Sequence, residues 1–224
     1  MINYFSLLCC IIFLVLSCTT TPASTFSDLP LGVDINLEKP EQDIGIDLIR
    51  ALKLRKSTKL FSSKEIGLKE ISLILWSANG INRENGKRTA PSPFAKDVIS
   101  IYVFSGIGIY RYDAGKNKLI FLSDKNKKKD IGAESGARGV KTASHVLLLT
   151  GDLSQFPDFI AGDVRLNSAH ATAGAVGQNI YLIANSLDLR TRFVGSISEE
   201  GIRSSLKLRE DEVPLYIMPL GNKK

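Results

Sequence analysis

Between Leu54 and Phe61 the chain reads Leu54, Arg55, Lys56, Ser57, Thr58, Lys59, Leu60, Phe61, which sets three cations around two adjacent hydroxyls. Such a set suits a dianionic phosphate, since the cations supply charge and the hydroxyls short, directional hydrogen bonds. The same residues also fit a solvated helix end that answers the helix dipole. Other chemistry is scarce. His145 lies inside an apolar strand and His170 on a long helix, and both read as packed or capping residues. With only these two histidines, no persuasive metal set can be assembled. Gly106-Ile107-Gly108 lacks the third glycine and the following helix of a dinucleotide fingerprint. There is no G-x-S-x-G and no P-loop. The expectation is therefore no catalytic side chain and no metal, with the chemistry imported on an organic cofactor.

The N-terminus speaks to compartment. No charged residue precedes Asp28, and Phe5 to Leu16 is an apolar run of signal-peptide length, short for a permanent span. Val15, Leu16, Ser17, Cys18 has the form of a bacterial lipoprotein cleavage site, although Met1 to Tyr4 carry no Lys or Arg. The expected organisation is a signal peptide over 1–17, a tether over 18–40 and one domain over 41–224. Cys18 would carry the lipid and anchor an exported protein to a membrane, on the periplasmic side or at the cell surface. All three cysteines, Cys9, Cys10 and Cys18, fall in that leader, so the domain has no disulfide framework and no thiolate nucleophile. Roughly 200 remaining residues suit a single core. The formal charge is +6, which raises nucleic acid or an anionic surface as partners. The cations are dispersed, however, and the one run, Lys125 and Lys127 to Lys129, sits among Asp124, Asn126 and Asp130 as a solvated loop. No nucleic-acid motif accompanies it.

The elements that must position the basic stretch follow from periodicity. Ile44, Leu48, Ala51, Leu52 and Arg55 recur at helical spacing. Ser62 to Glu65 has the form of a capping box opening a second helix. Leu68, Ile71, Ile74, Leu75 and Ala78 line the buried face of that helix, and Asn79-Gly80 stops it. Strands are expected at Ile99–Phe104, Ile107–Tyr112, Leu119–Leu122, Ser144–Thr150, Phe193–Ile197 and Pro214–Leu220. A long helix is expected within Ala161–Leu187, and Glu199-Glu200 opens a short polar one. The pattern is α+β with mostly antiparallel pairing, and not an alternating βαβ chain.

Three ordered segments resemble the nitroreductase family of flavin-dependent oxidoreductases. Arg55 to Phe61 resembles its R-x-S-x-[KR]-x-F element. Leu73 to Asn82, with Gly86 to Ser92, resembles a branch reading L-L-W-A-A-N-G-I-N-R and G-K-R-T-A-P-S. Ala173 to Leu182 resembles the long central helix. The resemblance spans about Ile44 to the C-terminus and implies a nitroreductase-like fold, an FMN cofactor and a homodimer with the flavin at the interface. It implies that Arg55, Lys56, Ser57 and Lys59 hold the phosphate and ribityl chain, and that Pro91 and Ser92 lie on the flavin's edge. It places Arg192, Phe193, Val194 and Gly195 along the ring. Gly174 and Gly177 would permit close helix packing.

The implied reaction is ping-pong transfer from NAD(P)H, by hydride to the flavin, and then to a small acceptor such as a nitroaromatic or quinone. A dehydrogenase acting on a peptide or small molecule, or a surface-anchored FMN binder without turnover, are the alternative readings. The chain departs from the family in three places. Ala95 falls in the segment where many relatives carry an Asn that contacts the flavin. Asp188 and Arg190 replace the glycines of a Gly-Leu-Gly, where a positive φ would suit neither. Lys223 and Lys224 either replace a basic pair that closes on the phosphate in many relatives or form a frayed tail.

Overall fold

Residues His145–Asp152 form the strand on which the domain is built, and all eight are buried. Leu147 and Leu149 face one layer while Val146 and Leu148 face the other. A strand covered on both faces reads as an unbroken apolar run, as this one does. The computed structural model describes residues 25–41, 43–133 and 137–224. The expected signal peptide and Cys18 lie outside the described residues.

In chain order the elements are β1 (Ile35–Asn36), α1 (Leu48–Leu54), α2 (Leu68–Asn79), β2 (Ile99–Phe104), β3 (Ile109–Asp113), β4 (Lys118–Ser123), α3 (Ala137–Thr142), β5 (His145–Asp152), α4 (Gly162–Ser186), β6 (Leu189–Thr191), α5 (Glu199–Ser205) and β7 (Glu212–Asn222). The strands join one sheet in the order β1-β4-β3-β2-β5-β7-β6, and every neighbouring pair is antiparallel. The α+β expectation is met. Ile71, Ile74, Leu75 and Ala78 of α2 pack with Ala169, Ala173, Val176, Ile180 and Ala184 of α4 against one sheet face. These are the three- and four-residue spacings of an amphipathic stripe. On the other face Val140 of α3, Ile202 of α5 and Leu206 cover Phe104, Val146, Leu148 and Ile217.

Several expectations are corrected. Ser62 and Glu65 do not form a capping box. Helix α2 starts at Leu68, with Gly67 as an N-cap that has no side chain to offer. Ser62 Oγ instead accepts from the Lys64 N–H at 3.3 Å, and Glu65 accepts from the Ser27 N–H at 3.2 Å. Glu65 is thus used to tie down the N-terminal segment. That segment was expected in the tether, but it adds Phe26, Ile35 and Leu37 to the core, and β1 pairs with β4. Packing therefore begins before residue 41. The strand expected at Phe193–Ile197 is displaced to Leu189–Thr191, leaving two isolated bridges, Val194 with Ile217 and Ile197 with Gly132. Lys128 is not merely solvated: its Nζ donates to the carbonyls of Ala143 and Ser144 at 3.1 and 2.9 Å, and burial lowers its pKa. The turn glycine Gly108 has φ 145°, and a Cβ there would sit 2.4 Å from the Ser123 carbonyl oxygen.

Candidate cofactor site

The basic stretch leaves α1 and is laid along the end of the sheet. Asp47 caps α1 by accepting from the Arg50 N–H at 2.8 Å, and the Arg55 N–H closes it on the Ala51 carbonyl at 3.0 Å. From there the backbone goes straight to β6. Ser57 forms a parallel bridge with Thr191, and the Thr58 N–H donates to the Thr191 carbonyl at 3.0 Å. Phe61, 3% exposed, bridges Lys223, and the Ser62 N–H donates to the Asn222 carbonyl at 3.0 Å. Lys223 is therefore ordered and stands beside the basic stretch.

Tyr181 of α4 joins the two halves of the expected site. Its hydroxyl lies 2.7 Å from Ser57 Oγ and accepts from the Phe193 N–H at 2.8 Å. The guanidinium of Arg55 stands 5.1 Å from the centroid of the same ring, a cation–π distance. A tyrosine only 7% exposed needs a partner for its hydroxyl, and here the hydroxyl finds two. Phe193 lies in turn against α4 and β7. Its ring is 4.2 Å from that of Tyr216, whose hydroxyl is 3.0 Å from His170 Nδ1. Gly177 makes room for it, since a Cβ there would fall 2.3 Å from the Phe193 ring. The close approach expected of Gly177 is real, but the neighbour is an aromatic ring and not a helix. Gly174 has nothing within 4 Å of where a Cβ would lie.

The electrostatics favour an anion. Lys56 and Lys59 are exposed and Arg55 and Arg192 half-buried, and none of the four forms an ion pair among the described residues. The N–H groups of Arg192 and Gly195 donate to no acceptor there either. Cations held close together without carboxylates repel one another, and a bound phosphate relieves that repulsion. The donor set therefore fits a phosphate-bearing group.

Pro91 and Ser92 are not brought to this cluster. They line a hollow of about 290 Å³ with Ser168, Ala171 and Thr172 of α4. Thr172 and Tyr181 are nine residues apart on one helix, about 13 Å at 1.5 Å per residue. The segment after Ser92 carries an unusual backbone: Phe94 and Ala95 have φ 54° and 53°. Ala95 thus takes the left-handed conformation that Asn tolerates better. Asp188 has φ 54° as well, and its carboxylate accepts from Arg190 at 2.8 Å. The glycine expected there is replaced by a residue that enters this region more readily than most, and Arg190 needs no positive φ. Sequence reasoning passed over Tyr181 and Thr191 as site residues. The only local sign of Tyr181 was a phenol among the small residues of a buried helical face.

Comparison with known proteins identifies the family and the fold. The nitroreductase family pattern matches residues 52–222. A protein named as a nitroreductase from Methanocaldococcus jannaschii is 30% identical over 204 residues, covering 86% of this chain and 99% of its own. A crystal structure named as a nitroreductase from Ralstonia eutropha superposes with a TM-score of 0.80 at 30% identity, over 85% of this chain and 90% of that one. A structure from Exiguobacterium sibiricum, determined in complex with FMN, shares the fold with a TM-score of 0.60 at 15% identity, over 82% of this chain and 91% of that one.

Proposed function

Because the chain belongs to the nitroreductase family of oxidoreductases, we propose that it binds FMN at the Tyr181-centred cluster and passes electrons from NAD(P)H to a small acceptor such as a nitroaromatic or a quinone. The observation that carries this reading is the group of cations without ion-pair partners at Arg55, Lys56 and Lys59, tied through Ser57 and Tyr181 to the Phe193 backbone. Bound FMN supplies the two-electron chemistry that the side chains lack. Arg55, Lys56, Ser57 and Lys59 hold its phosphate and ribityl chain. Arg192 and Gly195 offer backbone donors that answer the negative charge the cofactor takes on when reduced, and Phe193 and Val194 fix the backbone that presents them.

The active unit in this proposal is a homodimer. In it a second copy supplies Pro91 and Ser92, which line a hollow apart from the Tyr181 cluster of their own chain. Helix α1 leaves Leu48, Ile49, Leu52 and Leu54 exposed at 62%, 73%, 46% and 48%, an apolar face suited to that copy. Light scattering with and without FMN tests the assembly, and a monomer that binds FMN tightly overturns it. We further propose that Cys18 carries a lipid that holds the domain at a membrane on the exported side. Clickable palmitate should label the wild type and spare Cys18→Ala, and equal labelling of both refutes the anchor. The reaction itself is tested by anaerobic stopped-flow of the FMN-loaded protein with NADH and with NADPH. Rapid bleaching of the visible flavin band is expected. A flavin that dithionite reduces but neither nicotinamide does overturns the proposed donor.

A further inference from the structure

A second cleft, about 570 Å³, opens on the sheet face opposite α2 and α4. It is lined in part by Glu212, the first residue of β7, which is 5% exposed. Glu212 Oε1 accepts from the Tyr102 and Thr150 hydroxyls, each at 2.7 Å and both buried. Glu212 Oε2 accepts from no donor among the described residues. Burial first, and the bond to Glu212 second, push the Tyr102 phenol far above its usual pKa, so it stays a donor to this carboxylate. The cleft is also lined by Arg111, Arg203, Lys207 and Arg209. Two of these are engaged, Arg203 with Glu199 at 2.9 Å and Arg209 with Asp152. Arg111 lies opposite Tyr102 across the β2–β3 ladder, and neither it nor Lys207 forms an ion pair among the described residues.

The two charge signs in one cleft restrict what can occupy it. A buried carboxylate with an idle oxygen asks for a donor, best a cationic one. Two idle cations ask for an anion. A phosphate or a dicarboxylate satisfies the cations but meets Glu212 with like charge, and a simple amine leaves Arg111 and Lys207 unanswered. The volume lies within the range of small-molecule sites. We propose that this cleft binds a small zwitterion of dipeptide size, with its ammonium on Glu212 Oε2 and its carboxylate between Arg111 and Lys207. The site is on the far side of the sheet from the Tyr181 cluster and does not depend on the flavin reading.

Calorimetry on the full chain tests it with three probes: Ala-Ala, N-acetyl-Ala-Ala without the ammonium, and Ala-Ala amide without the carboxylate. Ala-Ala should bind, and each blocked peptide should bind roughly tenfold more weakly or worse. Glu212→Gln keeps an acceptor for Tyr102 and Thr150, so it should fold. It should weaken Ala-Ala by roughly tenfold while leaving N-acetyl-Ala-Ala unchanged. Lys207→Ala, at an exposed position, should weaken Ala-Ala and leave the amide unchanged. Absence of Ala-Ala binding at about 10 mM, a concentration that detects even millimolar affinity, overturns the proposal. Equal binding of N-acetyl-Ala-Ala also overturns it, because the cleft would then select only an anion.

Discussion

Tyr181→Phe removes one oxygen and keeps the ring, so the Arg55 stacking distance of 5.1 Å is untouched. Two contacts disappear, the 2.7 Å bond with Ser57 Oγ and the 2.8 Å bond from the Phe193 N–H. The Ser57 hydroxyl is on an exposed residue and can turn to water, so its loss costs little. The Phe193 N–H is part-buried, and an unsatisfied donor of this kind costs about 1–3 kcal/mol. Neither segment detaches, because Thr58 stays on Thr191 and Val194 stays on Ile217. What is lost is the rigid spacing between the proposed phosphate cradle and the backbone proposed to bind the ring. The apoprotein should lose about 1–2 kcal/mol in urea denaturation, and FMN affinity should fall roughly 5- to 30-fold. Fluorescence quenching of FMN by titrated apoprotein measures the second quantity. In a double-mutant cycle Ser57→Ala and Tyr181→Phe should couple only weakly, by about 0.5 kcal/mol or less, since the Ser57 hydroxyl turns to water when its partner is lost. A stability loss with affinity unchanged within about twofold, under 0.5 kcal/mol, would refute the reasoning, for Tyr181 would then serve only the core.

Three further outcomes are expected. Arg55→Ala combined with Lys59→Ala should weaken FMN by about two to four powers of ten, from about 1.5–3 kcal/mol per charge-assisted bond; unchanged affinity in a folded double variant would reduce the stretch to a solvated helix end. Ala95→Gly should raise the urea midpoint, by about 1 kcal/mol of stability, because φ 53° strains alanine and suits glycine; a lowered midpoint would contradict it. His145 is 2% exposed with its pKa lowered to about 3, by burial first and by Lys128 second. The unfolded chain binds a proton near pH 6.5 that the folded one refuses, so stability is full above that pH and is lost as pH falls toward 3, by about 5 kcal/mol in all. Denaturation at pH 7 and pH 4.5 should show the loss in the wild type and a smaller one in His145→Gln; equal slopes would remove His145 from the acid response.

What could be read in the sequence was local. The stripes of α2 and α4, the unbroken apolar run of β5 and the turn glycine at Gly80 are each signalled within a few residues, and the structure has them. What escaped was decided at a distance. The Ser62–Glu65 pattern satisfies the capping rule, yet Glu65 is claimed by Ser27, 38 positions earlier. Phe193–Ile197 has strand composition, but the Phe193 ring lies against Gly177 and the ladder ends at Thr191. The cations of the basic stretch were legible, while its fastening to Tyr181 was not, because nothing near either residue announces the other. Asp188 shows the opposite limit: a glycine pattern was missing while the backbone geometry it stands for survived.

The fastening of the basic stretch has a consequence for how the protein is made. Ser57 meets Tyr181 across 124 positions, and Phe61 is bridged by Lys223, next to the last residue of the sequence. Contacts so distant in the chain form late, since the loops they close are long. A nascent chain lacking β7 has neither the partner of Phe61 nor the ladder that holds Thr191, so residues 55–61 are not yet fully fastened. If FMN sits at this cluster as proposed, its loading follows the closing of β7 into the sheet.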